Sequence, residues 1–106
     1  MNCFGEARKF DRHRFRSQIE VSWNAGKAVD SVIGNCMDVS LYGMLIESPA
    51  EIAVGTKVQA RVEGSIVPGE AIVRHCRRYG PWFRIGLKFR EALPVEEMLW
   101  ESKTAK

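Results

Sequence analysis

The sequence predicts an all-β protein: a six-stranded antiparallel barrel with one short C-terminal helix, preceded by a basic arm. Three observations lead there. Strand-like runs with period-two alternation recur along the chain, separated by turns rich in Gly, Pro and Asn. In residues 82–89, Phe83, Ile85, Leu87 and Phe89 face one way while Arg84, Gly86 and Lys88 face the other, so one face is buried. After Pro94 the period changes, and Val95, Met98 and Leu99 follow the i, i+3, i+4 spacing of a helix.

Taken in order, residues 1–16 show no sustained period and read as an irregular, flexible arm. The first strand spans 18–23, where Ile19, Val21 and Trp23 alternate with polar residues, and 24–27 is a turn. A second strand covers 31–39, with Gly34 and Asn35 marking irregularities, and a third covers 43–47. Residues 48–56, with Pro49 and Gly55, form a loop. The fourth strand, 57–62, puts Val58, Ala60 and Val62 on one face and Lys57, Gln59 and Arg61 on the other. Residues 64–69 break the chain, and 70–77 and 82–89 are joined by a hairpin connection at 78–81. Pro94 opens the helix, with Glu96 and Glu97 suited to the positive end of its dipole. Short strands followed by a single helix make a small barrel with the helix packed on or beside it. The organisation is one domain: an arm over 1–16, then barrel and helix over 17–104.

At 106 residues the chain is long enough for one core. No apolar run approaches a membrane span, and the N-terminus lacks the apolar segment of a secretion signal, so a cytoplasmic location is expected. Cys3, Cys36 and Cys76 are odd in number and far apart, which argues for free thiols in a reducing compartment. The net charge is only +3, and all of that excess lies in the arm, where Arg8, Lys9, Arg12, Arg14 and Arg16 outnumber Glu6 and Asp11. So small a charge argues against nucleic acid as the partner.

Two segments carry candidate chemistry. Asp38-Val39-Ser40-Leu41-Tyr42-Gly43 places a carboxylate, a hydroxyl and a glycine where one strand passes into the next. Arg8-Lys9-Phe10-Asp11-Arg12 places two guanidinium groups four residues apart in the arm. Guanidinium forks bind phosphate and the O6/N7 edge of guanine, and a carboxylate complements the N1/N2 donors of its other edge. Each segment has a plainer reading. Asp and Ser in turns commonly satisfy nearby backbone amides, and basic arms are commonly solvated. Together they supply both halves of a guanine nucleotide site.

These residues resemble the motifs of PilZ domains: Arg8 to Arg12 matches RxxxR, and Asp38 to Gly43 matches [D/N]xSxxG. The order agrees, since Ile19 and Val21 fall where the family's first strand begins, and Gly86-Leu87-Lys88-Phe89 resembles its last. PilZ domains are bacterial receptors for cyclic di-GMP, built as six-stranded barrels with an N-terminal arm that folds over the ligand. The resemblance implies that Arg8 and Arg12 clamp guanine and phosphate, that Asp38 and Ser40 contact guanine, and that Gly43 shapes the turn. Lys9 stands where many members carry another arginine, which leaves a point charge in place of a fork. Arg12-His13-Arg14-Phe15-Arg16 is a second RxxxR match; the first frame is preferred because Arg16 lies only three residues before Ile19. The implied function is a non-enzymatic receptor that orders its arm on cyclic di-GMP and signals to a protein partner in trans. Two alternatives stay open: a ligand-free PilZ-like interaction module, and a small nucleic-acid-binding barrel.

Other residues invite functional readings and carry less. His75 beside Cys76 lacks the C-x-x-C or H-x-x-x-H spacing of a zinc site, so no metal and no cofactor is expected. His13, His75, Ser40 and the cysteines form no evident nucleophile and base pairing. Trp82, Phe83, Arg77, Arg78 and Arg84 could face single-stranded nucleic acid, but a solvated strand face over a buried Phe83 is the simpler account. Cys36 is expected to be a small core or barrel-wall residue, and Met98, Leu99 and Trp100 pack the helix.

Overall fold

A computed structural model describes residues 12–64, 67 and 69–104, with the side chains of 101–104 outside that description. Six strands form a closed antiparallel barrel: β1 (His13–Ala25), β2 (Ala28–Val39), β3 (Gly43–Ser48), β4 (Lys57–Val62), β5 (Glu70–Tyr79) and β6 (Trp82–Phe89). Their order around the barrel is β1-β2-β3-β6-β5-β4, with β4 returning to β1. The non-sequential neighbours β3 and β6 are what build the site described below. A C-terminal helix, α1 (Val95–Thr104), follows.

Inward residues from every strand meet in one core: Ile19 and Val21, Cys36 and Val39, Met44 and Ile46, Val58, Ala60 and Val62, Ala71 and Val73, Ile85, Leu87 and Phe89. Each fully buried side chain of this size contributes about 1.5–3 kcal/mol. Alternation is strict in β4, where the three outward residues Lys57, Gln59 and Arg61 are all exposed, and closure leaves the barrel wall no free edge where all six strands pair. Met98 from α1 is buried in the core, with Val95 and Leu99 packed beside it, and the Met98 amide bonds Pro94 O at 2.9 Å. Trp100, on the same helix, is 67% exposed.

The loop after β3 is pinned by Ser48, a buried polar residue. Its hydroxyl donates to Ala50 O at 2.7 Å and accepts from Ala50 N at 3.1 Å, and Ile52 then enters the core. Ser48 is thereby satisfied without water.

β4, β6 and the start of α1 fall where the sequence analysis puts them. β1 begins at His13, five residues earlier than expected, so 13–16 belong to the barrel rather than to an arm. Phe15 is buried there, but basic residues surround it and the β1–β2 register shifts between Arg14 and Ser17, which hides the period. β2 begins at Ala28 because the turn is only Gly26-Lys27, with Gly26 at φ 68°. The β5–β6 turn, Gly80-Pro81, likewise has Gly first, at φ 61°, the placement that tight hairpin turns of this kind favour.

Candidate functional site

β2 carries Asp38 near its end, and only Ser40, Leu41 and Tyr42 separate it from Gly43 at the start of β3. Backbone bonds hold this connection tightly: Ser40 N to Gly43 O at 2.9 Å, Phe89 N to Tyr42 O at 2.7 Å, and Leu93 N to Leu41 O at 2.6 Å. Gly43 is not at positive φ, so the turn does not need glycine there for its backbone angles. Its role is space. A Cβ there would lie 3.2 Å from Ser40 Oγ and 3.6 Å from Leu87 O, so glycine leaves room for the hydroxyl beside the strand.

Barrel order then does what the motifs alone could not. Following the register outward from β1, Arg14 lies opposite Asp38, Asp38 opposite Leu45, Leu45 opposite Gly86, and Gly86 opposite His75. At about 4.8 Å between strands, Asp38 and His75 bound a row about 14 Å wide. A cavity of about 180 Å³ sits on it. Arg12, Asp38, Ser40 and Gly43 line one side, Arg74 and His75 the other, with Leu45 and Gly86 between.

Two bulges aim these side chains. One extra residue in β2 falls between Cys36 and Asp38, and one in β5 between Val73 and His75. In a regular strand Arg74 and His75 would point to opposite faces; the bulge leaves both exposed and both on the cavity. The His75 imidazole occupies the space over Gly86 that any side chain at 86 would fill, with Cδ2 and Cε1 only 2.6 and 2.7 Å from where a Cβ would stand.

Arg12 bonds Asp38 through Nη2, at 3.1 Å to Oδ2 and 3.3 Å to Oδ1. The pair is more than half exposed on the arginine side and about a quarter on the carboxylate side, so in water it contributes only about 0–1 kcal/mol. It ties the end of the arm to the rim of the cavity. Beneath the rim, the thiol of buried Cys36 is pushed up to about 12, by burial first and then by the Asp38 carboxylate, against an amide bond from Met37.

With Arg12, Arg74 and neighbouring Lys88 against the single carboxylate of Asp38, the cavity is suited to an anion that also offers a flat face and hydrogen-bond donors. A larger concavity, about 290 Å³, lies over β4, β5 and β6 around Ile72 and contains none of the motif residues. Its Lys88 neighbours Gly43 and marks the border between the two.

Of the residues singled out in the sequence, Arg12, Asp38, Ser40 and Gly43 come together here, while Arg8 and Lys9 lie outside the described residues. Arg12 belongs to both readings of RxxxR. Arg16, in β1, does not line the cavity. Arg74, His75 and Gly86 were not legible as site residues, because their position depends on β6 lying beside β3 and on a bulge. The hairpin arginines are more engaged than a solvated face: Arg84 stacks on Tyr79 at 4.3 Å and Arg78 on Phe83 at 5.8 Å. Among the described residues no group of three or more His, Cys, Asp or Glu could hold a metal ion, and no helix is long and apolar enough to cross a membrane.

Fold and site together define a small barrel-shaped binding module with an anion-facing cavity on its outer wall. The chain belongs to the PilZ domain family, whose model matches residues 6–101. Members of that family are cyclic di-GMP receptors and adaptors rather than enzymes. No curated protein matches the chain.

Proposed function

We propose that the protein is a cytoplasmic receptor that holds cyclic di-GMP in the cavity between β2 and β5 and passes the bound state to a protein partner. In this reading Arg8 and Arg12, with Lys9 adding a point charge, clamp guanine and phosphate. Asp38 accepts from the N1 and N2 donors of guanine, Ser40 bonds a nearby polar group, and Gly43 keeps the approach open. Arg12 must leave Asp38 when guanine arrives, an exchange that costs little because the pair is solvent-exposed. Fixing the arm costs conformational entropy, and charge-assisted bonds to the two ligand phosphates offset it. The ordered arm then presents a changed surface to the partner.

The observation that carries the reading is the convergence of Arg12, Asp38, Ser40 and Gly43 on one cavity. Calorimetric titration of cyclic di-GMP into the wild type and Arg12→Ala tests it, with GTP as control. Saturable binding of the cyclic dinucleotide alone is expected, weakened at least tenfold, about 1.4 kcal/mol, in the variant. Thermal melting of the variant should stay close to wild type, since the lost ion pair is a surface one. Absence of heat up to high micromolar ligand would overturn the assignment.

A further inference from the structure

The β1–β2 hairpin is longer than the barrel needs. β4 pairs with β1 only over Ile19, Glu20, Val21 and Ser22, and β3 pairs with β2 only from Asn35 onward. Among the described residues, the hairpin from Trp23 to Asp30 therefore projects as a two-stranded ribbon, the β2 side stays an unpaired edge on to Ile33, and every residue from Asn24 to Ser31 is exposed. Such a ribbon is marginal by itself. Trp23 and Val32 cover its inner side by packing on the core, but on the outer side Val29 is 68% and Ile33 57% exposed.

The β2 edge of this hairpin, Ala28-Val29-Asp30-Ser31-Val32-Ile33, carries no Pro, no Lys, no Arg and no bulge, and Asp30 is its single charged guard against strand pairing. Ala25 and Ala28 flank the two-residue turn, and antiparallel bonding alternates from there. Val29, Ser31 and Ile33, opposite Asn24, Ser22 and Glu20, consequently direct their N–H and C=O groups away from β1.

We infer that this edge pairs with the same edge of a second copy, joining two ribbons into a four-stranded antiparallel sheet. An antiparallel edge is complementary to itself under a two-fold axis. With the axis at Ser31, Val29 lies opposite Ile33 of the second copy on the outer face, and each such pair exchanges both backbone bonds. The register opposes no like charges, because Asp30 meets Val32. The free edge ends at Gly34, opposite Ala28 of the second copy, because β3 takes Asn35; Lys27 at that copy's ribbon tip is thereby brought up to Glu47, the β3 residue paired with Asn35 and a carboxylate with no ion pair among the described residues. An extended segment of another protein could use the same backbone groups, but it would not be matched by these two apolar positions and this charge pair.

Sedimentation velocity across the micromolar range tests the pairing on the full chain. The wild type is expected to move toward twice its 12.0 kDa mass as concentration rises. Ser31→Pro removes only an outward N–H, which an edge strand tolerates, and Ile33→Lys places a charge at an exposed position. Both should stay monomeric at concentrations at least tenfold above the wild-type transition, with unchanged circular dichroism and melting. A wild type that remains monomeric at high micromolar concentration overturns the inference and leaves the edge to a different partner. So does a dimer that survives both substitutions, because its interface then lies elsewhere.

Discussion

Replacing Gly86 by alanine separates the floor of the cavity from the stability of the barrel. The new Cβ would stand 2.6 Å from His75 Cδ2 and 2.7 Å from Cε1, where carbon atoms settle at about 3.5–4.0 Å. The imidazole must therefore retreat by about 1 Å or more. It is free to do so, because His75 is exposed and the atoms involved are the far end of a side chain. Displacing it costs about 0.5–1.5 kcal/mol if the ring leaves its rotamer. Against this, alanine is better than glycine inside a strand by about 0.5–1 kcal/mol. The two nearly cancel, so the melting temperature should move by no more than about 5 °C. Binding has no such compensation, because the methyl group and the displaced ring both enter the space between Asp38 and Arg74. Calorimetry with cyclic di-GMP should show at least a tenfold loss, about 1.4 kcal/mol, beside a melting curve near wild type. A variant that binds as tightly as wild type would refute the placement of the ligand against the floor that His75 and Gly86 form. A melting drop beyond about 10 °C would refute the claim that His75 yields without cost to the fold.

Two further outcomes follow from the core. Because the Cys36 thiol is pushed up to about 12 while an unfolded thiol titrates near 9.0, its contribution is fully present below pH 9 and is lost as pH rises toward 12. The slope is at most about 1.4 kcal/mol per pH unit; urea melts of wild type and Cys36→Ala between pH 8 and pH 10.5 (about the usable alkaline range) should show the steeper fall in wild type, and parallel slopes would count against the shift. Ser48→Ala strips Ala50 N and Ala50 O of their shared hydroxyl at a fully buried position, and should cost about 1–3 kcal/mol by denaturant titration; a change under about 0.5 kcal/mol would mean that the loop repacks.

Much of the barrel was legible because strands of alternating character announce their own faces. β4 and β6 are found where Val58, Ala60, Val62 and Phe83 to Phe89 put them, since nothing interrupts the period. β1 was foreshortened because Phe15 is a lone buried residue among Arg14, Arg16 and His13, and the register shift beside it removes the alternation that would have flagged a strand. The near side of the cavity was legible through local motifs, because Asp38, Ser40 and Gly43 are close in sequence. The far side was not. Arg74 and His75 reach it through the pairing of β3 with β6, a long-range fact, and through a bulge that no residue type at 73–75 advertises.

Those bulges have a consequence for how the chain tolerates insertion and deletion. Before Met37 and Arg74 the barrel's interior is written at one parity of residue number, and after them at the other: Cys36 then Val39 in β2, Val73 then Cys76 in β5. Each extra residue acts as a frameshift in a two-letter code of inside and outside. Deleting Arg74 would do more than shorten a strand by one position. It would restore strict alternation with Val73 inside, His75 outside opposite Gly86 and Cys76 inside, so that the cavity wall would lose the Arg74 guanidinium and keep the imidazole.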